Sequence, residues 1–296
     1  MPGSIINPMA DRLRALIARG DLITMPCCFD ALSAKLIEQS GFDLTFLSGF
    51  GASASRLGAP DTGLMSYGEV LDQARNAMHP LTIPMIVDGD TGHGNPMNVL
   101  RTVSGFARAG CAAVMIEDQV APKRCGHTQG KSVVSRSEAV ERIHAAVEAR
   151  ASHDILILAR TDARREHGLD DALARAEAFA EIGADILFVE EPYSAEEMAV
   201  ICSSTDGVHM ANMLEGGQTP ILPPAQLAEL GYSIAAYPLT LLSAAMKAMN
   251  AALADLAAGR PAQEHLLDFA DLREQIGFDA YHNKANALSS RHLKDK

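Results

Sequence analysis

Eight short apolar runs recur along the chain, and their number and spacing constrain the fold more than any other feature. They are Leu22–Met25, Leu44–Leu47, Pro84–Val87, Ala113–Ile116, Ile155–Leu158, Ile186–Val189, Val208–Ala211 and Ile234–Ala236. Uninterrupted apolar runs of this length suit strands covered on both faces, as in parallel sheets. Between most of them lie Ala-rich stretches with helical spacing: Asp30–Gln39, Tyr67–Met78, Met97–Ala109, Ser137–Arg150, Leu169–Ile182 and Pro224–Leu230. Four strands share one lead-in, a helix end followed by Gly41, Gly110, Gly183 or Gly231. Glycine there fits the position just past a helix, where φ is positive. The regularity predicts βα units with right-handed crossovers. Eight such units make an α/β fold, a (β/α)8 TIM-type barrel of roughly 250 residues. An open doubly wound sheet is the competing architecture, and it lacks its Gly-x-Gly-x-x-Gly opening here.

No linker, low-complexity block or charge run divides the chain. It reads as a single barrel domain over 1–296, with a helical N-terminal arm at 1–21, the barrel at 22–259 and a helical tail at 260–296. The tail has helically spaced Leu266, Phe269, Leu272, Ile276, Phe278 and Tyr281. It follows the eighth unit, so it is expected to pack outside the barrel or on another subunit.

Composition narrows the partners. Lys plus Arg is 25 against 37 for Asp plus Glu, a net charge of −12. Such a surface repels phosphate backbones and anionic lipid, which argues against nucleic acid and membrane surfaces. The five cysteines, Cys27, Cys28, Cys111, Cys125 and Cys202, show no Cys-x-x-Cys spacing. That is neither a disulfide framework nor a zinc-finger pattern, and it points to reduced thiols in a cytoplasmic protein. No secretory leader pattern opens the chain. The apolar stretch Leu239–Leu253 is broken by Lys247 and Asn250 and is too short to span a bilayer.

Chemistry in such barrels sits at the C-terminal strand ends. Ser48 and Gly49 follow the second run, Asp88 and Asp90 the third, and Glu117 and Asp118 the fourth. Arg160 and Asp162 follow the fifth, Glu190 and Glu191 the sixth, and Asn212 the seventh. Seven acids around one mouth would repel by several kcal/mol unless neutralised. A hard divalent cation is the natural neutraliser, and oxygen-only ligands favour Mg²⁺ over Zn²⁺. For Asp118 and Asp162 a helix cap or structural ion pair is an equal alternative, and for Glu191 it is the stronger one. Asp88 and Asp90, one Gly apart before a Gly-rich turn, resist that alternative. His93 is read as ordering the turn.

Residues 120–131 hold two glycines, a proline, three cations, Cys125 and His127. No regular pattern fits them, and they read as an active-site lid. Cys125 lies among Lys123, Arg124 and His127, which lowers a thiol pKa and suits it to proton transfer. An ordinary solvated loop is the alternative. The other cysteines read as buried small hydrophobes. The amides of Gly49–Ser53 are a weak candidate for holding an anion.

The blocks Lys123–His127, Val87–Gly94, Ile116–Gln119, Ala159–Asp162 and Asn212–Gly217 together resemble the isocitrate lyase/phosphoenolpyruvate mutase superfamily. The similarity runs over nearly the whole chain. The Lys-Arg-Cys-Gly-His block is the signature of its carbon–carbon lyase branch, which includes 2,3-dimethylmalate and 2-methylisocitrate lyases. The resemblance implies a barrel whose eighth helix is swapped between subunits of a homotetramer, a dimer of dimers. It implies Mg²⁺ (or Mn²⁺) held by Asp88, with Asp61, Asp90 and Glu117 acting directly or through water. Arg160 would bind a substrate carboxylate. Ser48, Gly49, Phe50, Lys123, Gly126, Glu190 and Asn212 would line the pocket. The reaction implied is cleavage of a substituted malate or 2-methylisocitrate-like 2-hydroxy acid to a 2-oxo acid and a second carboxylate. Cys125, beside His127, would protonate the departing enolate, and Glu117 is a candidate base for the hydroxyl. Phe46 replaces a Tyr of many methylisocitrate lyases and Phe50 replaces their Gly, so both weaken that substrate. Oxaloacetate decarboxylation or hydrolysis by the same chemistry is the second reading. A non-catalytic, metal-binding barrel is the third.

Overall fold

Each of the eight apolar runs forms a strand. They are β1 (Ile23–Cys28), β2 (Thr45–Leu47), β3 (Met85–Asp88), β4 (Ala113–Glu117), β5 (Leu156–Thr161), β6 (Ile186–Val189), β7 (Val208–Asn212) and β8 (Ile234–Tyr237). In this computed structural model, which describes residues 6–124 and 132–292, every strand pairs in parallel with its sequence neighbour. Strand β8 returns to β1, from Ile23 opposite Ile234 to Pro26 opposite Tyr237. The sheet is therefore a closed barrel, and the open-sheet alternative falls. Several strands run on past their apolar stretch, so Asp88, Glu117, Arg160 and Asn212 are themselves ladder residues.

The helices are α1 (Pro8–Ile17), α2 (Ala31–Gln39), α3 (Gly49–Leu57), α4 (Tyr67–Met78), α5 (Pro96–Arg108) and α6 (Arg136–Arg150). They continue with α7 (Ala163–His167), α8 (Leu169–Ile182), α9 (Ala195–Ser204), α10 (Pro224–Leu230) and α11 (Thr240–Ala257). The six helices read from spacing begin and end within a residue of the expected bounds. Capping explains the starts: Asp30 and Ser66 close capping boxes on α2 and α4. Gly41, Gly110, Gly183 and Gly231 follow their helices at φ between 84° and 102°, the left-handed turn expected of them.

The pleat sorts strand side chains into two cores. Met25, Leu44, Ile86, Met115, Leu158, Ile186, Met210 and Ile234 fill the barrel interior. Their alternates, such as Val87, Val114, Ile116 and Ile157, pack outward against Val103, Phe106, Ile143 and Phe179 of the helices. The interior core also takes in Ala10, Leu13 and Leu16 of α1. The N-terminal arm thus plugs the barrel bottom, each buried leucine contributing on the order of 2 kcal/mol of transfer free energy.

The chain divides into two compact units, Met1–Leu242 and Ser243–Lys296, with the division inside α11. The second unit holds the rest of α11, a 3-10 turn at Gln263–His265, α12 (Phe269–Ile276) and α13 (Phe278–His292). Met249, Leu253, Leu256, Phe269 and Tyr281 of this unit are exposed. Among the described residues no helix is long and apolar enough to cross a membrane.

Candidate active site

The same alternation that builds the interior core selects the residues at its upper end. Following each inward column to the C-terminal strand ends gives Cys27, Phe46 with Ser48, Asp88, Met115 with Glu117, Arg160, Phe188 with Glu190, Met210 with Asn212, and Ala236. All of them line one cavity of about 630 Å³, counting its open mouth. Phe50, Asp61, Lys123, Arg124, Leu214, Pro238 and Leu239 complete the wall from the loops.

The opposite phase removes two acids from the mouth. Asp118 points outward, accepts hydrogen bonds from Thr161 Oγ1 at 2.7 Å and Asp162 N at 2.9 Å, and pairs with Arg175 at 3.1 Å. Glu191, in the left-handed region at φ 60°, pairs with Arg165 at 3.3 Å. The expectation that seven acids crowd one mouth is thereby corrected: Asp118 and Glu191 are structural. Asp162 occupies the N-cap position of α7 and gives both carboxylate oxygens to Arg160, each at 2.9 Å.

The remaining acids form two clusters, each around a cation. In the first, Lys123 Nζ lies 2.7 Å from Asp90 Oδ1, 2.8 Å from Asp61 Oδ2 and 3.6 Å from Asp88 Oδ2. In the second, Arg160 Nε lies 3.4 Å from Glu117 and its Nη2 3.5 Å from Glu190, alongside the fork to Asp162. Its guanidinium carbon is 5.2 Å from the Phe188 ring centroid. The four residues expected around a metal are thus split, with Asp61, Asp88 and Asp90 in one cluster and Glu117 in the other. Among the described residues no three His, Cys, Asp or Glu side chains already converge as a metal site.

Close backbone approach makes this density possible. A Cβ at Gly49 would stand 2.4 Å from Asp88 Oδ2, and one at Gly89 would stand 2.6 Å from Met115 O. Gly89 N donates to Met115 O and Glu117 N to Asp90 O, both at 2.9 Å, so the β3 end is strapped along β4. Burial pushes the Asp90 carboxyl up to about 7, against the pull of Lys123 and with help from Asp88 and Asp61. Burial likewise pushes Glu117 well above the ordinary glutamate value, against Arg160. Burial pulls Lys123 down, but Asp88, Asp90 and Asp61 outweigh it and hold the ammonium well above the ordinary lysine value.

The other expected residues are placed as follows. Ser48 caps α3 by accepting from Gly51 N, which uses one of the amides considered for an anion. Asn212 Nδ2 donates to Glu190 Oε1 at 3.2 Å. The His93 ring lies tilted against that of Tyr67, with centroids 5.8 Å apart. Cys125, Gly126 and His127 lie outside the described residues. The two ends of the expected lid are tied together: Gln119 bridges Val133, and Val120 N donates to Ser132 O at 2.8 Å. Two buried arginines grip these ends. Arg142 donates to Glu117 O and Gln119 O at 2.7 and 2.9 Å, and Arg175 donates to Val134 O at 2.9 Å. Sequence reasoning missed both, and it missed Cys27, Met115, Phe188 and Met210 as cavity wall, although pleat parity points to those four.

The chain matches the phosphoenolpyruvate phosphomutase family over residues 13–257. It is 45% identical over 240 residues to 2,3-dimethylmalate lyase of Eubacterium barkeri, covering 81% of this chain and 83% of that one. A solved structure of 2,3-dimethylmalate lyase superposes with a TM-score of 0.90 at 34% identity, over 96% of each chain. Oxaloacetate acetylhydrolase in complex with 3,3-difluorooxalacetate superposes with a TM-score of 0.89 at 32% identity, over 95% of this chain and 97% of that one. With the barrel, the strand-end acids and these similarities together, the chain belongs to the phosphoenolpyruvate mutase/isocitrate lyase superfamily, among its lyases.

Proposed function

We propose that this lyase cleaves the C2–C3 bond of a substituted malate, giving a 2-oxo acid and a second carboxylate, with Mg²⁺ or Mn²⁺ as cofactor. The observation that carries this reading is the make-up of one cavity. It joins a fixed guanidinium, Arg160, to a carboxylate cluster on one side and to an apolar wall of Phe46, Phe50, Phe188 and Met210 on the other. The guanidinium suits a substrate carboxylate, and the apolar wall suits alkyl substituents better than a third carboxylate. Similarity to 2,3-dimethylmalate lyase supports the same substrate class.

The residues fit a divalent cation. The donors are carboxylate oxygens at strand ends, burial already disfavours the charges of Asp90 and Glu117, and Glu117 Oε1 is buried with no hydrogen-bond partner. Asp88 would hold the ion, with Asp61, Asp90 and Glu117 around it. When bound it would supply Lewis acidity that lowers the substrate hydroxyl pKa and stabilises the oxyanion.

The side chains carry the rest. Arg160, oriented by Asp162 and Glu190, holds a substrate carboxylate in place. Glu117, acting through water, takes the hydroxyl proton as C2–C3 breaks. The electron pair of that bond leaves on C3 as a carboxylate-stabilised enolate, and Cys125 delivers a proton to it. His127, Lys123 and Arg124 favour the thiolate that remains. Ser48 and Asn212 bind polar substrate atoms.

The exposed apolar side chains of 243–296 need a partner surface, and a second copy of the chain in a homotetramer supplies it. The four described cysteines are free thiols, which suits a reducing, cytoplasmic setting. Light scattering that gives a monomer would overturn the tetramer.

The deciding assay incubates purified protein and Mg²⁺ with 2,3-dimethylmalate, 2-methylisocitrate or oxaloacetate, and identifies products by mass. Pyruvate and propionate from 2,3-dimethylmalate are expected. Acetate and oxalate from oxaloacetate would favour hydrolysis, a reading supported by the similarity to oxaloacetate acetylhydrolase. Turnover of none of the three would sink both.

A further inference from the structure

Lys123 stands among three carboxylates from two segments of the chain, the β3 end and the loop after α3. Asp88 ends β3, Asp90 lies in the turn beyond it at φ 49°, and Asp61 comes from the loop after α3. The ammonium lies 2.7, 2.8 and 3.6 Å from Asp90, Asp61 and Asp88, and the side chain is only 5% exposed. Buried carboxylates are tolerated when they take up protons or when a cation lies among them, and here a cation does. Two cations cannot share the same three carboxylates at such distances without strong mutual repulsion. A lysine is well suited to give way. Its charge sits on a flexible four-carbon stem, makes no planar fork, and is strongly hydrated once released. Gly49 adds a steric condition: a Cβ there would stand 3.2 Å from Lys123 Nζ as well as against Asp88, so the amine needs a residue without a side chain beside it.

We propose that Lys123 is the site's own replaceable counter-ion. Its ammonium fills the Asp61–Asp88–Asp90 cluster in the metal-free protein, and a divalent cation enters by displacing it. Metal loading and withdrawal of the Lys123 amine are then one event. The proposal rests on the metal reading above and adds to it a competitor built into the chain. Metal affinity is set by the difference between the ion and the ammonium, not by the carboxylates alone.

Two measurements on chelator-treated full-length protein, without substrate, test it. The first is Mn²⁺ titration by calorimetry and by electron paramagnetic resonance of wild type and Lys123→Gln. Loss of the competitor is expected to tighten Mn²⁺ binding by about tenfold or more. The second is acetylation of wild-type lysines, with Lys123 quantified by peptide mass. Saturating Mg²⁺ is expected to raise its labelling severalfold. Equal or weaker Mn²⁺ binding by folded Lys123→Gln overturns the proposal and leaves the metal reading intact. If that variant fails to fold, wild-type labelling decides: no change at a metal concentration shown to saturate overturns it. If neither wild type nor variant binds Mn²⁺, the metal reading falls as well.

Discussion

The two charge clusters at the barrel mouth have the same ingredients, three carboxylates around one cation, and are held in different ways. Arg160 sits in the β5 ladder, opposite Glu117 on one side and Phe188 on the other. Its planar fork is matched by Asp162 two residues on, and a ring lies beside it. Both the backbone and the guanidinium are fixed before substrate arrives. Lys123 belongs to no strand, and a point charge on a long stem holds its cluster. A backbone in a sheet and a fork of hydrogen bonds hold a counter-ion in place, and Lys123 has neither. On the readings proposed above, the fixed cation would serve the substrate carboxylate and the exchangeable one would mark the place of the metal.

The contrast can be broken from either side. Asp88→Ala removes the expected anchor of the exchangeable cluster. It is expected to abolish turnover and the rise in Tm on adding Mg²⁺, whereas wild type loses activity in chelator and regains it with Mg²⁺. A preserved Mg²⁺-induced Tm shift in this variant would separate Asp88 from the metal.

Behind the fixed cluster, Arg175 neutralises the outward-facing Asp118, which positions Thr161 and the amide of Asp162. Arg175→Met leaves that carboxylate buried without its partner. It is expected to cost about 3–5 kcal/mol in denaturant unfolding while Mn²⁺ affinity stays unchanged. A loss of metal affinity as large as the loss of stability would show that the two clusters are not independent.

In the proposed mechanism the acid for the departing carbon is Cys125. Cys125→Ser should lower kcat by roughly 10²-fold or more with a smaller change in KM. Near-normal turnover would rule the thiol out.

Arg160→Lys keeps the charge and discards the fork, turning the fixed cation into one resembling Lys123. A loss of about 10- to 100-fold in kcat/KM is expected, since one charge-assisted hydrogen bond contributes about 1.5–3 kcal/mol. Wild-type kinetics would mean that charge alone suffices there.

The smallest effect is in pH dependence. The Asp90 carboxyl is raised to about 7 in the folded protein, so its contribution to stability is fully present below its unfolded value of about 3.9. That contribution is lost as pH rises through about 7. Metal-free Asp90→Asn should show a flatter pH dependence of Tm between about pH 4 and 7 than wild type. Parallel curves would contradict the assigned burial cost.

Much of the fold is legible in the residues alone. The eight apolar runs, the Gly-led strand starts and the six spaced helices are local patterns, and they reappear in the barrel with bounds shifted by at most three residues. Helix α3 is not legible, because Gly49, Gly51 and a run of small residues look like loop until Ser48 caps them. The cavity acids are half legible. The strand-end blocks mark Asp88, Glu117 and Glu190, which line the cavity, and Asp90, which meets Lys123 beside it, and strand parity sets Asp118 and Glu191 aside only once the strand bounds are known. Arg142 and Arg175 give no sign, since a buried arginine on an Ala-rich helix has the same letters around it as a solvated one.

What the sequence by itself determined is the repeat: strand period, helix stripe and strand order, each set by hydrogen bonds and burial within a few tens of residues. Tertiary structure alone decided which charges meet. Lys123 and Asp61 are 62 positions apart, and Arg175 and Asp118 are 57 apart. Their energies depend on separations of a few ångström and on the water excluded around them. Both quantities come into being only when the barrel closes.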